Sequence, residues 1–422
     1  MSTSAIPVHP GSVAVVGAGL AGLHAAWRLH EAGIEVVVLE ARDRVGGRTW
    51  SHTLDDGTVV ERGGEFIAPD DEVLRGLCGD LGLSLIPHGF SFDRRPTPEG
   101  PAPGTDEVAE LLAAARARVA ERDQDFPASE AIAPSTQAQA SAARRIETSL
   151  SVPLSMASAR RMFGDDGEGH GYDPAVRVGG GNQSVTQALA RRLQDRVRLR
   201  TPVVAIDHDE RGATVRCAGA GSVSVAAVVV AVPLPLLGEL ELAPSLPEPI
   251  AAAAARTAFG DAAKLHVPLA AAPRPGGVAS PQTLWWCWTS QAPGHTDAAP
   301  ALSGFAGGTE AVRVVAAADG PDAWARMALQ LRPDVVPAPD ASPLVTHWGS
   351  ESWTRGSYSA PAVGCTVADD AAWATPWGSI VLAGEHTAGD HCGTMNGAAA
   401  SGARAANAVL GLLRARGRDC GP

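Results

Sequence analysis

A glycine-rich segment near the start of the chain constrains the fold more than any other feature. An apolar run over residues 13–16 has the composition of a buried parallel strand. A G-x-G-x-x-G motif over 17–22 follows, and a helical stretch over 20–32 overlaps it. A second apolar run over 35–39 ends at Glu40. This order of strand, glycines, helix, strand and acid predicts a βαβ unit that binds a dinucleotide.

Each glycine of the motif has a separate role in such a unit. Gly17 permits the tight turn from strand to helix, Gly19 lets the backbone approach a pyrophosphate, and Gly22 lets helix and strand pack closely. The helix N-terminus offers unpaired N–H groups to the phosphates. Glu40, 18 residues after Gly22, is placed to accept hydrogen bonds from ribose hydroxyls.

Composition excludes several classes of protein. A chain of 422 residues with 45% hydrophobic residues predicts two or three domains with a large core. The net charge of −12 argues against nucleic acid and anionic membranes as partners. No apolar run is long enough to span a bilayer, and the first residues lack the pattern of a signal peptide. The six scattered cysteines predict free thiols, no metal site and a cytoplasmic location.

Lysine usage is unusual. Of the 34 basic residues, one is lysine, Lys264, and the other 33 are arginine. An ammonium is a compact charge whose pKa responds to burial, whereas a guanidinium stays charged. The survival of one lysine therefore indicates a position that needs an ammonium.

Two further segments carry a family resemblance. The run over 40–48, with Gly46, Gly47 and Arg48, resembles the segment that follows the first βαβ unit in flavin-containing amine oxidases. Near the C-terminus, the runs over 384–387 and 393–405 are similar to the family's G-E-x-T, M-x-G-A and S-G-x-R-A-A signature. In this family the arginine lies against the FAD pyrophosphate, and the last helix begins beneath the flavin pyrimidine.

The resemblance implies an α/β fold. We expect a Rossmann-like FAD-binding domain, of the flavoprotein type with two dinucleotide-binding domains, and an inserted α+β substrate domain. The predicted FAD-binding domain is discontinuous over 1–89, 176–243 and 350–422. The substrate-binding domain is predicted over 90–175 and 244–349. A meander of short strands after residue 197 is consistent with this division.

FAD is the cofactor that the resemblance implies. We expect it to be bound non-covalently, because Ser357 stands where monoamine oxidases attach flavin through a cysteine. Matched position by position, the cofactor-binding residues are expected to be Gly17, Gly19, Leu20, Ala21, Gly22, Glu40, Ala41, Arg42, Gly46, Gly47, Arg48, Gly63, Gly64, Glu65, Phe66, Val204, Trp353, Gly384, Glu385, Thr394, Met395 and Ala398.

The resemblance also assigns catalytic residues. In the family a lysine on the inserted sheet contacts flavin N5 through a water, and Lys264 matches it. Tyr358 matches one of the paired tyrosines around the substrate amine, whereas Thr394 occupies the second position, so the cage is half open. The alternating run over 263–267 places Lys264 and His266 on one strand face. The substrate pocket is expected to contain Phe66, Thr394, His266, Trp286 and Trp288.

We therefore expect an FAD-dependent oxidase that converts an amine or an amino acid to an imine by hydride transfer to flavin N5, with dioxygen reduced to hydrogen peroxide. Its partners would be a small amine and dioxygen. A flavin desaturase acting on carbon–carbon bonds and a non-catalytic FAD-bound module are the alternatives. The sequence leaves open the identity of the amine, the electron acceptor and the oligomeric state, for which a homodimer is one candidate.

Overall fold

The structure is a computed structural model. It describes residues 11–93, 95–98, 104–164, 172–280, 283–317, 319–340 and 342–419.

A five-stranded parallel sheet forms the centre of one half of the molecule and contains both strands of the predicted βαβ unit. Its strands, in spatial order, are Ile380–Leu382, Ala227–Val230, Val13–Val16, Val36–Leu39 and Val197–Arg198. Most of their residues are valine, leucine or isoleucine because both faces of the sheet are covered. Alternate residues of the first strand face opposite sides, so Val13 and Val15 belong to one core and Ala14 and Val16 to another.

The two faces of the parallel sheet are covered by different layers. On one face lie the helices Leu20–Glu31, Gln183–Leu193 and Met395–Asp419. On the other face lies a four-stranded sheet. Its strands, in spatial order, are Gly221–Val225, Ala213–Cys217, Val203–His208 and Glu241–Ala243.

A second five-stranded sheet is antiparallel and belongs to the other half of the molecule. Its strands, in spatial order, are Gly276–Ala279, Trp285–Thr289, Ala301–Gly307, Ala262–Pro268 and Leu344–His347. The helices Thr309–Ala316 and Gly320–Leu331 cover one face and pack on alternate residues such as Leu265. Lys264 and His266 therefore lie on the opposite face, as the alternation predicts.

The remaining elements connect these layers. A helical cluster follows residue 104 and has its own apolar core. The remaining helices are Glu72–Asp80, Thr105–Ala120, Ala128–Ala131, Gln137–Leu150, Ala159–Phe163, Leu234–Leu237, Glu248–Ala255 and Val367–Ala374. Three short strand pairs complete the fold: Ser51–Thr53 with Val59–Glu61, Leu85–Pro87 with Val176–Val178, and Thr257–Phe259 with Ser359–Pro361.

The predicted fold class is confirmed, and element boundaries differ by a few residues. The first helix ends at Glu31, and Gly33 follows with a φ of +80°. The polar, alanine-rich stretch over 123–143 contains the start of the helix Gln137–Leu150, because the Thr136 hydroxyl accepts a hydrogen bond from a backbone N–H of its first turn. The division into two discontinuous domains stays a prediction.

The close crossing of the first and last helices gives a test of this packing. A Cβ added to Gly402 would lie 2.3 Å from the Ala21 carbonyl oxygen, so Gly402→Ala should lower the free energy of unfolding by about 1–3 kcal/mol. Gly411, in the same helix, has nothing within 4 Å, so Gly411→Ala should raise it by about 0.5–1 kcal/mol. Urea unfolding of both variants measures the difference. Equal effects would show that the two helices do not touch at Gly402.

Candidate active site

A cavity of about 450 Å³ lies at the carboxyl edge of the parallel sheet. We call it the nucleotide cavity. Of the expected cofactor-binding residues, it is lined by Gly17, Gly19, Leu20, Ala21, Glu40, Ala41, Arg42, Gly46, Gly47, Arg48, Gly64, Val204, Trp353, Gly384, Glu385, Thr394, Met395 and Ala398. Gly22, Gly63, Glu65 and Phe66 lie outside the lining.

The glycine loop has the geometry that a bound pyrophosphate needs. Gly17 has a φ of +103°, and a Cβ on Gly22 would lie 2.0 Å from the Gly17 carbonyl oxygen. These two glycines therefore shape the turn. A Cβ on Gly19 would meet nothing within 4 Å, because this residue faces the open cavity. A ligand can approach the backbone closely at Gly19.

Glu40 is held at the end of the second strand by its own loop. Its Oε2 accepts the backbone N–H of Ala18 at 2.7 Å, and its Oε1 accepts that of Arg42 at 2.8 Å. Each oxygen has a second lone pair, so the carboxylate can still accept hydrogen bonds from ribose hydroxyls.

An ion pair closes the far side of the cavity. Arg48 Nη1 lies 2.6 Å from Glu385 Oε1 and donates to the Ser357 carbonyl at 2.9 Å. The other Glu385 oxygen accepts the Gly393 N–H at 2.7 Å and the Ser359 hydroxyl. Burial raises the pKa of Glu385, but the charges of Arg48 and His386 and the hydrogen bonds from Ser359 and Arg48 together outweigh burial, so the pKa is lowered. Glu385 is therefore ionised.

The only lysine is buried and fully hydrogen-bonded. Lys264 is 4% exposed. Its Nζ donates to the carbonyl oxygens of Glu61 at 2.8 Å and Gly63 at 2.9 Å, and to Glu65 Oε2 at 2.6 Å. An ammonium has three protons, and each one has an acceptor here. All three N–H groups of the ammonium are therefore satisfied within the protein.

Glu65 joins the lysine to the aromatic residues of the inserted sheet. Its Oε1 accepts the indole N–H of Trp288 at 3.0 Å and the Ser290 hydroxyl at 3.4 Å. Burial raises the pKa of this carboxyl, but the charges of Lys264, His88 and Arg177 and the hydrogen bond from Lys264 together outweigh burial, and the pKa falls to about 2. The structure thus places Glu65 as the partner of Lys264, whereas its expected contact with the cofactor stays a prediction.

Tyr358 lines the nucleotide cavity, and its hydroxyl is hydrogen-bonded to other residues of the protein. The hydroxyl donates to the Ser149 carbonyl and accepts from the Ser151 hydroxyl at 2.7 Å. Burial raises its pKa to about 12, so the phenol stays neutral. The adjacent Ser357 Oγ is buried without a hydrogen-bond partner among the residues that the structure describes. Since Ser357 also lines the cavity, a bound group could be its partner.

The expected substrate-pocket residues separate into two places. Thr394 lines the nucleotide cavity at the start of the last helix. Trp286 and Trp288 stack with ring centres 4.2 Å apart. They belong to an aromatic cluster, which consists of Phe66, Phe90, Phe92, Tyr172, Trp286 and Trp288.

Both ring nitrogens of His266 have hydrogen-bond partners within the protein, as is typical of a structural histidine. Its ring nitrogens bond the Ser303 hydroxyl at 3.0 Å and the Glu61 carbonyl at 3.1 Å. Burial lowers its pKa to about 3, so the ring is neutral near pH 7. Its expected membership of the substrate pocket stays a prediction.

Sequence reasoning missed several lining residues. Ala231, Val232 and Pro233 follow the strand Ala227–Val230 and line the cavity. The sequence carries a signal for them, because an apolar run over 228–232 ends at Pro233, and ligands bind beyond the carboxyl ends of parallel strands. Leu236 and Leu240 carry no comparable signal in the sequence.

Comparison with known proteins agrees with this geometry. Residues 20–410 match the family model described as flavin containing amine oxidoreductase. The chain belongs to this family. It is 61% identical over 71 residues to putrescine oxidase of Kocuria rosea, and 46% identical over 71 residues to flavin-containing amine oxidase B of Homo sapiens. Each match covers 17% of this chain and only 15% and 14% of the respective relative.

Solved structures of the family resemble the whole chain. Cyclohexylamine oxidase from Brevibacterium oxydans IH-35A superposes with a TM-score of 0.79 at 25% identity. Wild-type putrescine oxidase bound to putrescine gives a TM-score of 0.75 at 25% identity. Both comparisons cover 96% of this chain and 100% of the other.

The nucleotide cavity fits FAD, the cofactor of this family. Gly19 leaves room for a pyrophosphate, Glu40 has free lone pairs for ribose, and Ser357 offers an unpaired hydroxyl. The N-terminus of the last helix, at Met395, opens into the cavity and favours negative charge there. Among the described residues no group of side chains could hold a metal ion, and no helix has the length and apolarity needed to cross a membrane.

Buried histidines near the site predict a loss of stability in acid. Burial lowers the pKa values of His88, His266 and His386 to about 4, 3 and 4, from 6.5. Below pH 6.5 the unfolded chain therefore binds more protons than the folded chain, and stability falls as the pH falls. Burial raises the pKa of Glu61 from 4.5 to about 7. Between these values the folded chain binds one proton at Glu61 that the unfolded chain does not bind, which partly offsets the effect of the histidines.

Three histidines and the opposing Glu61 leave the unfolded chain with up to two more bound protons than the folded chain. The free energy of unfolding should therefore fall by up to about 3 kcal/mol per pH unit between pH 6.5 and 4.5. Urea unfolding at several pH values measures this slope. A stability that stays constant or rises on acidification would contradict the neutral, buried state of these histidines.

Proposed function

We propose that the protein is an FAD-dependent amine oxidase. It would convert a primary or secondary amine, or an amino acid, to the imine by hydride transfer to flavin N5, and dioxygen would be reduced to hydrogen peroxide. The observation that carries this proposal is the burial of the only lysine next to the wall of the nucleotide cavity: its ammonium donates to the carbonyl of Gly63, and the next residue, Gly64, lines the cavity. The names of its relatives, putrescine oxidase and cyclohexylamine oxidase, support small amines as substrates.

When bound, FAD supplies the hydride acceptor and the subsequent reaction with dioxygen. The protein's part is to supply fixed charge around the site. Lys264 keeps its positive charge because Glu65 and two carbonyl oxygens hold it. The N-terminus of the last helix adds partial positive charge at Met395. Both would stabilise negative charge that develops in the cavity, without reorganising during the reaction.

The surroundings also select the protonation state of the substrate. A buried aromatic cluster disfavours a charged ammonium that has no partner, so the amine would arrive neutral with its lone pair available. The Tyr358 ring lines the cavity and, with its hydroxyl fixed by Ser149 and Ser151, presents only a rigid aromatic face. Its role is therefore to orient the substrate, since its hydroxyl is already used.

We also propose a cytoplasmic location for the protein and dioxygen as the electron acceptor. The described cysteines, Cys78, Cys217, Cys287, Cys365 and Cys392, are free thiols, which supports a reducing cytoplasm.

Cofactor content and reaction with amines test the proposed function. The purified protein should be yellow and should release FAD on denaturation, since Ser357 cannot form the thioether that a cysteine would. Anaerobic addition of a primary amine should bleach the flavin, and air should restore the colour with release of peroxide. A protein with full FAD content that no member of an amine panel bleaches would be a non-catalytic module or a desaturase.

The role of Lys264 can be separated from its effect on stability. Lys264→Met leaves the Glu65 carboxylate buried and unpaired, which should cost about 3–5 kcal/mol, and the double variant with Glu65→Gln removes this cost. The double variant should bind FAD but reoxidise roughly a hundredfold more slowly with dioxygen. Glu65→Gln alone keeps the Lys264 side chain and two of its three acceptors, and serves as the control for the loss of the carboxylate. Stopped-flow reoxidation measures the rates, and a double variant as fast as the wild type would remove Lys264 from this step.

A further inference from the structure

A second, smaller cavity lies next to the aromatic cluster. Its volume is about 20 Å³, and Trp286 of the cluster forms part of its wall. Its lining residues include three arginines, Arg95, Arg144 and Arg145, and one acidic residue, Asp93. A space of this size accepts one or two groups as large as water. The cavity can therefore take a small terminal group of a ligand.

Arg95 is the side chain in this cavity that needs a partner. It is 3% exposed, and its Nε donates to the Phe92 carbonyl at 2.8 Å. Its guanidinium carbon lies 3.5 Å from the Trp286 ring centre. Its Nη2 atom is buried and has no hydrogen-bond partner within the part of the chain that the structure describes. A buried cation with an unused donor is costly unless an acceptor reaches it.

The neighbouring carboxylates are bound elsewhere. Asp93 pairs with Arg145 at 3.1 Å and also accepts the Tyr172 N–H at 2.9 Å. Asp173 accepts the Phe92 N–H at 2.6 Å and the Ser91 hydroxyl. Burial lowers the pKa of Arg95 well below its usual range, and Arg145 lowers it further, although both carboxylates oppose the shift. An incoming anion would relieve this cost.

The helix Gln137–Leu150 lines the small cavity and is hydrogen-bonded to Tyr358, a residue of the nucleotide cavity. Arg144, Arg145 and Thr148 of this helix line the small cavity. The carbonyl of Ser149 accepts the hydroxyl of Tyr358, whose ring lines the nucleotide cavity. The small cavity therefore lies close to the side of the nucleotide cavity that Tyr358 forms.

A stack of rings sets the separation between Arg95 and Lys264. Lys264 Nζ lies 5.4 Å from the Trp288 ring centre, and Trp288 stacks on Trp286 at 4.2 Å. Arg95 lies 3.5 Å from the centre of Trp286, so it must occupy the face opposite to Trp288. Two indole rings therefore separate the two cations.

We propose that the small cavity is an anion subsite, in which Arg95 binds a carboxylate at the end of the substrate opposite to the reacting amine. This inference rests on the proposed oxidase function and names its substrate class. If the amine binds on the Lys264 side of the two stacked indole rings, these rings separate it from Arg95, and several methylene groups would have to lie between amine and carboxylate. The preferred substrate is thus an ω-amino acid and not an α-amino acid.

A matched pair of substrates tests the specificity. We expect wild type to use ε-aminocaproate better than hexylamine, which has the same chain but no carboxylate. Arg95→Met should lower kcat/KM for ε-aminocaproate roughly tenfold to hundredfold and leave that for hexylamine within about threefold. Arg116→Met, which removes an exposed arginine on the helix Thr105–Ala120, should change neither. An equal loss for both amines in Arg95→Met would overturn the proposal.

Binding without turnover tests the subsite independently of the oxidase. Hexanoate, titrated into the FAD-loaded protein, should raise Tm and perturb the flavin absorbance in wild type but not in Arg95→Met. If it does so and no amine bleaches the flavin, the anion subsite stands and the oxidase function fails. If hexanoate does not bind wild type, or binds Arg95→Met equally well, the subsite is wrong.

A conservative variant covers the case in which Arg95→Met does not fold. Arg95→Lys keeps the charge but loses the planar fork of donors. Weaker hexanoate binding to this variant supports the subsite, and unchanged binding overturns it.

Discussion

The ion pair between Lys264 and Glu65 is the interaction on which the site depends. It joins the segment that follows the strand Val59–Glu61 to the strand Ala262–Pro268 of the antiparallel sheet. Taking two charges out of water is expensive, and such a pair persists only where the remaining hydrogen-bonding capacity is satisfied. Here two carbonyl oxygens accept the other two hydrogen bonds of the ammonium, and the Trp288 indole N–H donates to the second oxygen of the carboxylate. The pair therefore fixes the position of a cation between the two halves of the molecule.

The charges around the nucleotide cavity have complementary tasks. Glu40 and Glu385 are anions that protein donors hold in place, and they face the polar parts expected of a dinucleotide. Arg48 and the N-terminus of the last helix supply positive charge to the same cavity. Because all of these groups are fixed before a ligand arrives, the cavity is preorganised for binding. The antiparallel sheet carries Trp286, Trp288 and Lys264, none of which lines the nucleotide cavity.

The features that local pattern determines could be predicted from the sequence. The parallel strands, the glycine turn and the position of Glu40 follow from a motif with fixed spacing. The common face of Lys264 and His266 follows from the two-residue period of a strand. The choice of hydrogen-bond partner could not be predicted, because it depends on residues far apart in the chain. Glu65 lies 199 positions before Lys264, and the Ser149 carbonyl that accepts the Tyr358 hydroxyl lies 209 positions before the tyrosine. The buried, unpaired donor of Arg95 also depends on tertiary packing, since the neighbouring carboxylates are already bound to other groups.

The single lysine allows a direct measurement of its environment. Protein labelled with nitrogen-15 lysine should give one side-chain resonance by NMR, from Lys264. A buried ammonium with three acceptors should show protons that exchange slowly with water, and its resonance should move when dithionite reduces the bound flavin. Faster exchange in Glu65→Gln would confirm that the carboxylate holds it. A resonance with the rapid exchange of an exposed lysine, unchanged on flavin reduction, would contradict the account.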